Sequence, residues 1–339
     1  TVPEHVNHRT VIDVFLNLYE PIGHKPMQGN FPNIKKLVSH IFGEQYELGM
    51  DYLQLLYLRP VQKLPILLLV SEERNTGKTT FLNFLKALFQ DNVTFNTNED
   101  FRSQFNSDWA GKLLIVVDEV LLSRREDSER LKNLSTTLSY KVEAKGKDRN
   151  EISFFAKFVL CSNNESLPVI IDEGETRYWV RKISSLQSDD TDFLEKLKAE
   201  IPAFLFHLQG RTLSTERKSR MWFAPEQIAT DALRRIIRCN RNRLEVEMSE
   251  LFLEVMENTQ TDSLQFCLND AIALLQCNHV KAEKHLVRKI VQDCWKLQPS
   301  ENALTYTSYE YNYNSSGHYS PTKRVGRFYT VTRDKLNSI

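Results

Sequence analysis

The 339-residue chain has no excess of charge: 44 basic side chains stand against 44 acidic ones. A global positive field is therefore excluded as a way of holding nucleic acid, and any such contact must come from local patches. The chain also lacks a disulfide framework. Cys161, Cys239, Cys267, Cys277 and Cys294 are an odd set without a C-x-x-C pair, which suits reduced thiols in a cytosolic compartment. Cys277, His279, His285 and Cys294 lie close in sequence, but their spacing fits no standard zinc pattern, and helix packing is the plainer reading. Long apolar runs are missing too: the longest, residues 64 to 70, is far short of the roughly 20 residues of a membrane span. No signal peptide is visible. Against these absences, 41% hydrophobic and 26% charged residues are ordinary for a globular protein with room for two or three domains. Because the chain opens on Thr1 and not Met, a segment cut from a longer protein is expected.

The pattern changes twice along the chain. Residues 10 to 58 carry helical periodicity, closed by Pro60, and predict a small helical N-terminal domain over 1–60. From 64 to 183, short apolar strands ("PILLLV", "LLIVVDEV", "AKFVLCSN", "RYWVRKI") alternate with helix-length segments. That alternation predicts an α/β core with a parallel central sheet, placed at 61–215. Residues 191 to 260 return to helix, and 264 to 339 end in a tyrosine-rich, β-prone ribbon turning at "NSSGHYSP". Residues 216–339 are thus expected to form a helical linker and a winged-helix-like module.

One glycine is missing at a telling place. In "SEERNTGKTTF", residues 71 to 81, the G-x-x-x-x-G-K-[ST] pattern of a phosphate-binding loop is complete except that Glu72 replaces its first glycine. The context is right, with a buried strand before the loop and a helix from Lys78 after it. Asn75, Thr76, Gly77, Lys78, Thr79 and Thr80 then form the cradle. Backbone N–H groups and the positive helix end hold the β-phosphate, Lys78 reaches the β- and γ-phosphates, and the Thr79 hydroxyl ligates Mg²⁺. Gly77 stands where a side chain would meet the phosphate. Glu72 and Glu73 place two carboxylates near a polyphosphate, a repulsion that Arg74 is positioned in sequence to offset.

Three further elements follow in order. "KLLIVVDEV" is an apolar strand ending in Asp118 and Glu119; Asp118 fits a carboxylate behind Mg²⁺, and Glu119 the base that polarises water, although a helix cap is the plainer reading. "FAKFVLCSNNE" ends beside Asn163, whose amide suits orienting a lytic water, as it also suits a turn. Arg177 and Arg181 flank an aromatic strand, and either could serve as a finger to a neighbouring subunit or as a solvated salt-bridge partner. Between the second and third strands, "SYKVEAKGKDRNEISFF" predicts a hairpin with Lys145, Lys147 and Arg149 at its tip, suited to gripping a phosphate backbone.

Taken together, these elements resemble superfamily 3 helicases, the AAA+-related P-loop ring motors of viruses, phages and mobile elements, over roughly residues 60 to 215. More narrowly, "DEGETRYWVRK" and the segment before the loop resemble the helicase part of phage and mobile-element primase-helicases. The resemblance implies ATP and Mg²⁺ as cofactors, a homo-oligomeric hexameric ring, and single-stranded DNA threading past the hairpins. It also implies a possible primase domain or partner and the cytoplasm of a bacterial or phage-infected cell. By position it places the nucleotide lysine at Lys78, the magnesium ligands at Thr79 and Asp118, the acidic pair at Asp118 and Glu119, the sensor at Asn163 and the channel cations at Lys145 and Lys147. Two other functions stay open: a non-translocating ATPase switch or loader, and a nucleotide-deficient DNA-binding scaffold.

Overall fold

The computed structural model describes residues 2–17, 19–100, 109, 111–142, 150–172, 174–186, 190–312 and 319–337. They fall into two compact units, Thr1–Ile237 and Arg238–Ile339. The first begins with the two-residue strands β1 (Val11–Ile12) and β2 (Phe15–Leu16), followed by α1 (Pro32–Phe42) and α2 (Tyr46–Leu58). Next come β3 (Ile66–Val70), α3 (Lys78–Phe89), β4 (Val93–Asn96), β5 (Leu114–Val117) and α4 (Arg125–Thr136). Then follow β6 (Ser139–Val142), β7 (Asn150–Ser153), β8 (Lys157–Ser162), β9 (Tyr178–Lys182), α5 (Phe193–Gly210), α6 (Pro225–Ile228) and α7 (Asp231–Asn258). The second unit takes up the rest of α7 and adds β10 (Ser263–Phe266), α8 (Leu268–Cys277), α9 (Lys284–Lys289), β11 (Leu304–Tyr311), β12 (Tyr319–Gly326), β13 (Tyr329–Thr332) and α10 (Arg333–Asn337).

The fold of the first unit is α/β, with a five-stranded parallel sheet in the order β4-β5-β8-β3-β9. Its central strands are near-continuous apolar runs because both faces are covered. Strand side chains alternate between faces, and two cores result. Leu67, Leu69, Val116, Val159 and Trp179 pack with Ile34, Leu53, Phe84 and Phe204 of α1, α2, α3 and α5. Ile66, Leu68, Ile115, Val117, Leu160 and Val180 pack with Leu131 and Leu134 of α4 and with Leu233 and Ile236 of α7.

Helix was expected from residue 10, but 11–16 form β1 and β2 and the first helix starts at Pro32; the helices α1 and α2, expected to belong to a separate domain over 1–60, share one core with the sheet. A buried carboxylate ties them to it. Asp51 of α2 accepts from the Arg211 guanidinium, from the amides of Ser214 and Thr215 and from both hydroxyls. Edge strand β4 has no counterpart in the sequence reading, because "VTFN" is too short and too polar for its periodicity to stand out.

The second unit has its own core, built from Met248, Phe252, Val255, Leu264, Phe266, Leu275, Val291, Trp295 and Val331. Its order is helix, strand, two helices, then the antiparallel pair β11–β12, with β13 returning to pair with β10. This is a winged-helix-like arrangement, and the tyrosine-rich ribbon supplies the wing. Its turn, 313–318, lies outside the described residues. Among the described residues no helix is long and apolar enough to cross a membrane.

Candidate functional site

Ligand crevices of open parallel sheets form at the carboxyl ends of the strands. Here β3, β5, β8 and β9 deliver the loop 71–77, Asp118 and Glu119, Asn163, and Lys182 to that one edge. The loop is fixed at three points through its backbone. The Ser71 amide donates to the Ser162 carbonyl (3.1 Å), the Leu186 amide to the Asn75 carbonyl (2.9 Å), and the His40 ring nitrogen lies 3.0 Å from the Thr76 carbonyl. Asn75 and Gly77 both take left-handed conformations, at φ 53° and 77°. An added Cβ at Gly77 would meet only Leu186 and His40, at ordinary contact distance, so the backbone itself is one reason for glycine there. Among the described residues, the amides of Asn75, Thr76, Gly77, Lys78 and Thr79 donate to no protein acceptor. They are concentrated at the positive end of α3, as an anion site requires.

Lys78 is buried, and its Nζ donates to the Thr76 hydroxyl (3.0 Å). Burial pulls its pKa below the ordinary lysine value, while Cys161, Asp118 and Glu165 act in the other direction. A buried ammonium whose hydrogen bond goes to a hydroxyl is poised for an anion. The Thr79 hydroxyl donates to Asp118 Oδ2 (2.9 Å), which brings the two expected magnesium ligands together. Hydroxyl, carboxylate and phosphate oxygens are what Mg²⁺ prefers, so these residues fit the ion. Asn163 Nδ2 donates to Glu119 Oε1 (3.3 Å), and Glu119 stands in the left-handed region at φ 60°. Strain of this kind, worth about 1–3 kcal/mol, persists where the surroundings over-determine it and gathers at functional sites.

Two contributors to the site left no mark in the sequence pattern. Asn98 donates to the Glu119 carbonyl (3.1 Å) and accepts from the Leu121 amide (2.9 Å), bracing the turn that carries the acid. The acidic stretch of the loop is also held. Glu73 accepts from the Ser185 amide (2.9 Å), and the cation that meets Glu72 is Arg235 of α7, at 3.4 Å. Arg235 reaches buried Glu165 as well (2.9 Å), as do Lys182 (2.9 Å) and the Glu72 amide (3.2 Å). Burial works to raise the Glu165 pKa, but the Lys182 and Glu72 hydrogen bonds and the Lys182 and Arg235 charges hold it below the usual value.

A family model described only as a family of unknown function, DUF5906, matches residues 69–181, a span running from the end of β3 to β9. No curated protein matches the chain. Among solved structures, the apo C-terminal region of NrS-1 superposes with a TM-score of 0.59 at 17% identity, covering 92% of this chain and 80% of that one. A second apo form of the same region gives 0.57 at 16% identity, covering 94% and 80%. At that identity the likeness is one of fold.

The structure brings the cradle residues, Asp118, Glu119 and Asn163 together; it does not bring the two arginines to them. Arg177 precedes β9 at the opposite sheet edge, where its carbonyl accepts from Ile66, and its guanidinium pairs with Glu175 (3.2 Å). Arg181 is buried, donating to Glu44 (2.6 Å) and Gln45 (2.9 Å) at the junction of α1 and α2. The two hairpin arms exist as β6 and β7, paired antiparallel from Ser139↔Ser153 to Val142↔Asn150. Lys145, Lys147 and Arg149 lie outside the described residues.

Proposed function

We propose that the chain is an ATP-hydrolysing motor of the helicase kind that moves along single-stranded DNA, works as a ring of identical subunits and serves replication of a phage or mobile element. One observation carries the reading: the Thr79–Asp118 and Glu119–Asn163 pairs stand at one sheet edge, beside a run of unused amides and a buried lysine. That is the donor set for a triphosphate, the ligand set for its cation and a carboxylate for water, in one place. The NrS-1 likeness supports the fold on which this reading stands.

The loop amides and Lys78 bind the phosphates, and Lys78 offsets charge gathering on the oxygens in transit. Thr79 and Asp118 would hold Mg²⁺, which would supply positive charge that polarises the phosphates. Asn163 orients the Glu119 carboxylate, and Glu119 takes a proton from the attacking water. Phosphate contacts at the β6–β7 tip would then carry the strand.

The test is ATP hydrolysis with and without single-stranded DNA, for wild type and Lys78→Ala. The motor reading expects DNA-stimulated turnover that Lys78→Ala abolishes. Turnover insensitive to that substitution would dismiss the loop as the site. A non-translocating switch draws some support from Arg177 and Arg181, both committed to acids of their own chain. Hydrolysis without unwinding would favour it.

A further inference from the structure

We infer that Arg235 is a positioning residue that makes the phosphate loop competent in spite of Glu72, an inference that rests on the nucleotide-binding reading of that loop. Where a glycine would place no charge, this chain places a carboxylate at the lip of a site for a polyanion. The Arg235 guanidinium forks between Glu72 Oε1 (3.4 Å) and Glu165 Oε2 (2.9 Å). Glu165, only 3% exposed in its side chain, also receives Lys182 (2.9 Å) and the Glu72 amide (3.2 Å).

One buried carboxylate thus anchors both the first peptide of the loop and the cation that answers its side chain. Within this cluster the two acids Glu72 and Glu165 face the two bases Arg235 and Lys182, and their charges cancel. Removing Arg235 leaves the two acids against Lys182 alone, so the cluster turns negative at the lip where the triphosphate must sit. The fork also explains why the cation comes from so far along the chain. The start of α7 already packs against the sheet through Leu233 and Ile236, which carries Arg235 to the loop.

The experiment titrates the whole chain with a fluorescent ATP analogue and Mg²⁺, using wild type, Lys78→Ala, Arg235→Ala, Glu72→Gln and the Arg235→Ala/Glu72→Gln double variant. Arg235→Ala should weaken binding roughly tenfold. The double variant should return to within about twofold of wild type, because the charge needing an answer is gone. A purely structural loss at Glu165 would not be rescued by altering Glu72. The inference is overturned if Arg235→Ala binds like wild type, or if the double variant is no better than Arg235→Ala. Should Arg235→Ala fail to fold, Arg235→Gln, alone and with Glu72→Gln, gives the same comparison. A wild type that binds no analogue, or binds it no better than Lys78→Ala, overturns the proposed function together with this inference. Silence of Arg235→Ala alone overturns only the inference.

Discussion

At the scale of single residues, Glu119 concentrates the argument. It is a non-glycine residue at φ 60°, its carbonyl is braced by Asn98 and its carboxylate by Asn163. A structure that spends hydrogen bonds to keep a strained acid in place uses its orientation. Glu119→Gln keeps the shape and both braces but removes the proposed base, so on that reading turnover should fall by about 10²–10⁴-fold while nucleotide affinity stays the same. A comparable fall in affinity would make Glu119 a binding group. The acid itself was legible in sequence, because an apolar strand seldom ends in two carboxylates without a cation or a base role to fill. Asn98 and Arg235 were not. They reach the site from segments 21 residues before Glu119 and 163 after Glu72, and no local pattern distinguishes a bracing asparagine or a clamping arginine from a solvated one.

Among the elements, four of the five strands of the central sheet were legible, β4 and the short β1 and β2 were not, and neither were the partners of the helices. Apolar periodicity shows that α1 and α2 have faces to bury; it does not say against what. The answer includes Asp51, whose five hydrogen bonds tie α2 to residues 211–215. Asp51→Ala strips the amides and hydroxyls of Ser214 and Thr215 of their acceptor and leaves the Arg211 guanidinium only Gln54 and Glu47; breaking a buried pair in this way costs about 3–5 kcal/mol. Urea unfolding should show that loss at an unchanged m-value; a change under about 1 kcal/mol would show the joint to be dispensable.

The same unit carries a pH-dependent weakness. His5 is buried and hydrogen-bonded to Tyr19 (3.0 Å), and burial, aided by Lys157 and His8, pulls its pKa from 6.5 to about 3. The unfolded chain therefore takes up the proton first. His5 contributes fully above pH 6.5, and its contribution is lost as the pH falls from 6.5 towards 3. His5→Gln, which can still hydrogen-bond Tyr19 but does not titrate, should flatten the stability curve in that window. An unchanged acid limb would assign the loss to other groups.

For the whole molecule, the governing fact is the absence of net charge. On the proposed reading, a motor without a positive field has to grip its strand at a few points, and sequence sets Lys145, Lys147 and Arg149 together between the paired strands β6 and β7. A grip of two or three phosphates makes a quantitative demand. Single-strand contacts release counterions with a slope in log K against log[salt] of about −0.7 per phosphate. Lys145→Ala with Lys147→Ala should therefore make that slope shallower by about 1.4 and abolish unwinding. Hydrolysis without DNA should survive, because Lys78, Thr79, Asp118, Glu119 and Asn163 hold their places at the sheet edge through contacts with Thr76 and with one another. Measured together, slope, unwinding and DNA-free hydrolysis separate the readings. A slope that does not move, with unwinding intact, would place the grip elsewhere on a neutral molecule. A slope that falls while hydrolysis loses only its stimulation by DNA would locate the coupling between strand and nucleotide in the hairpin.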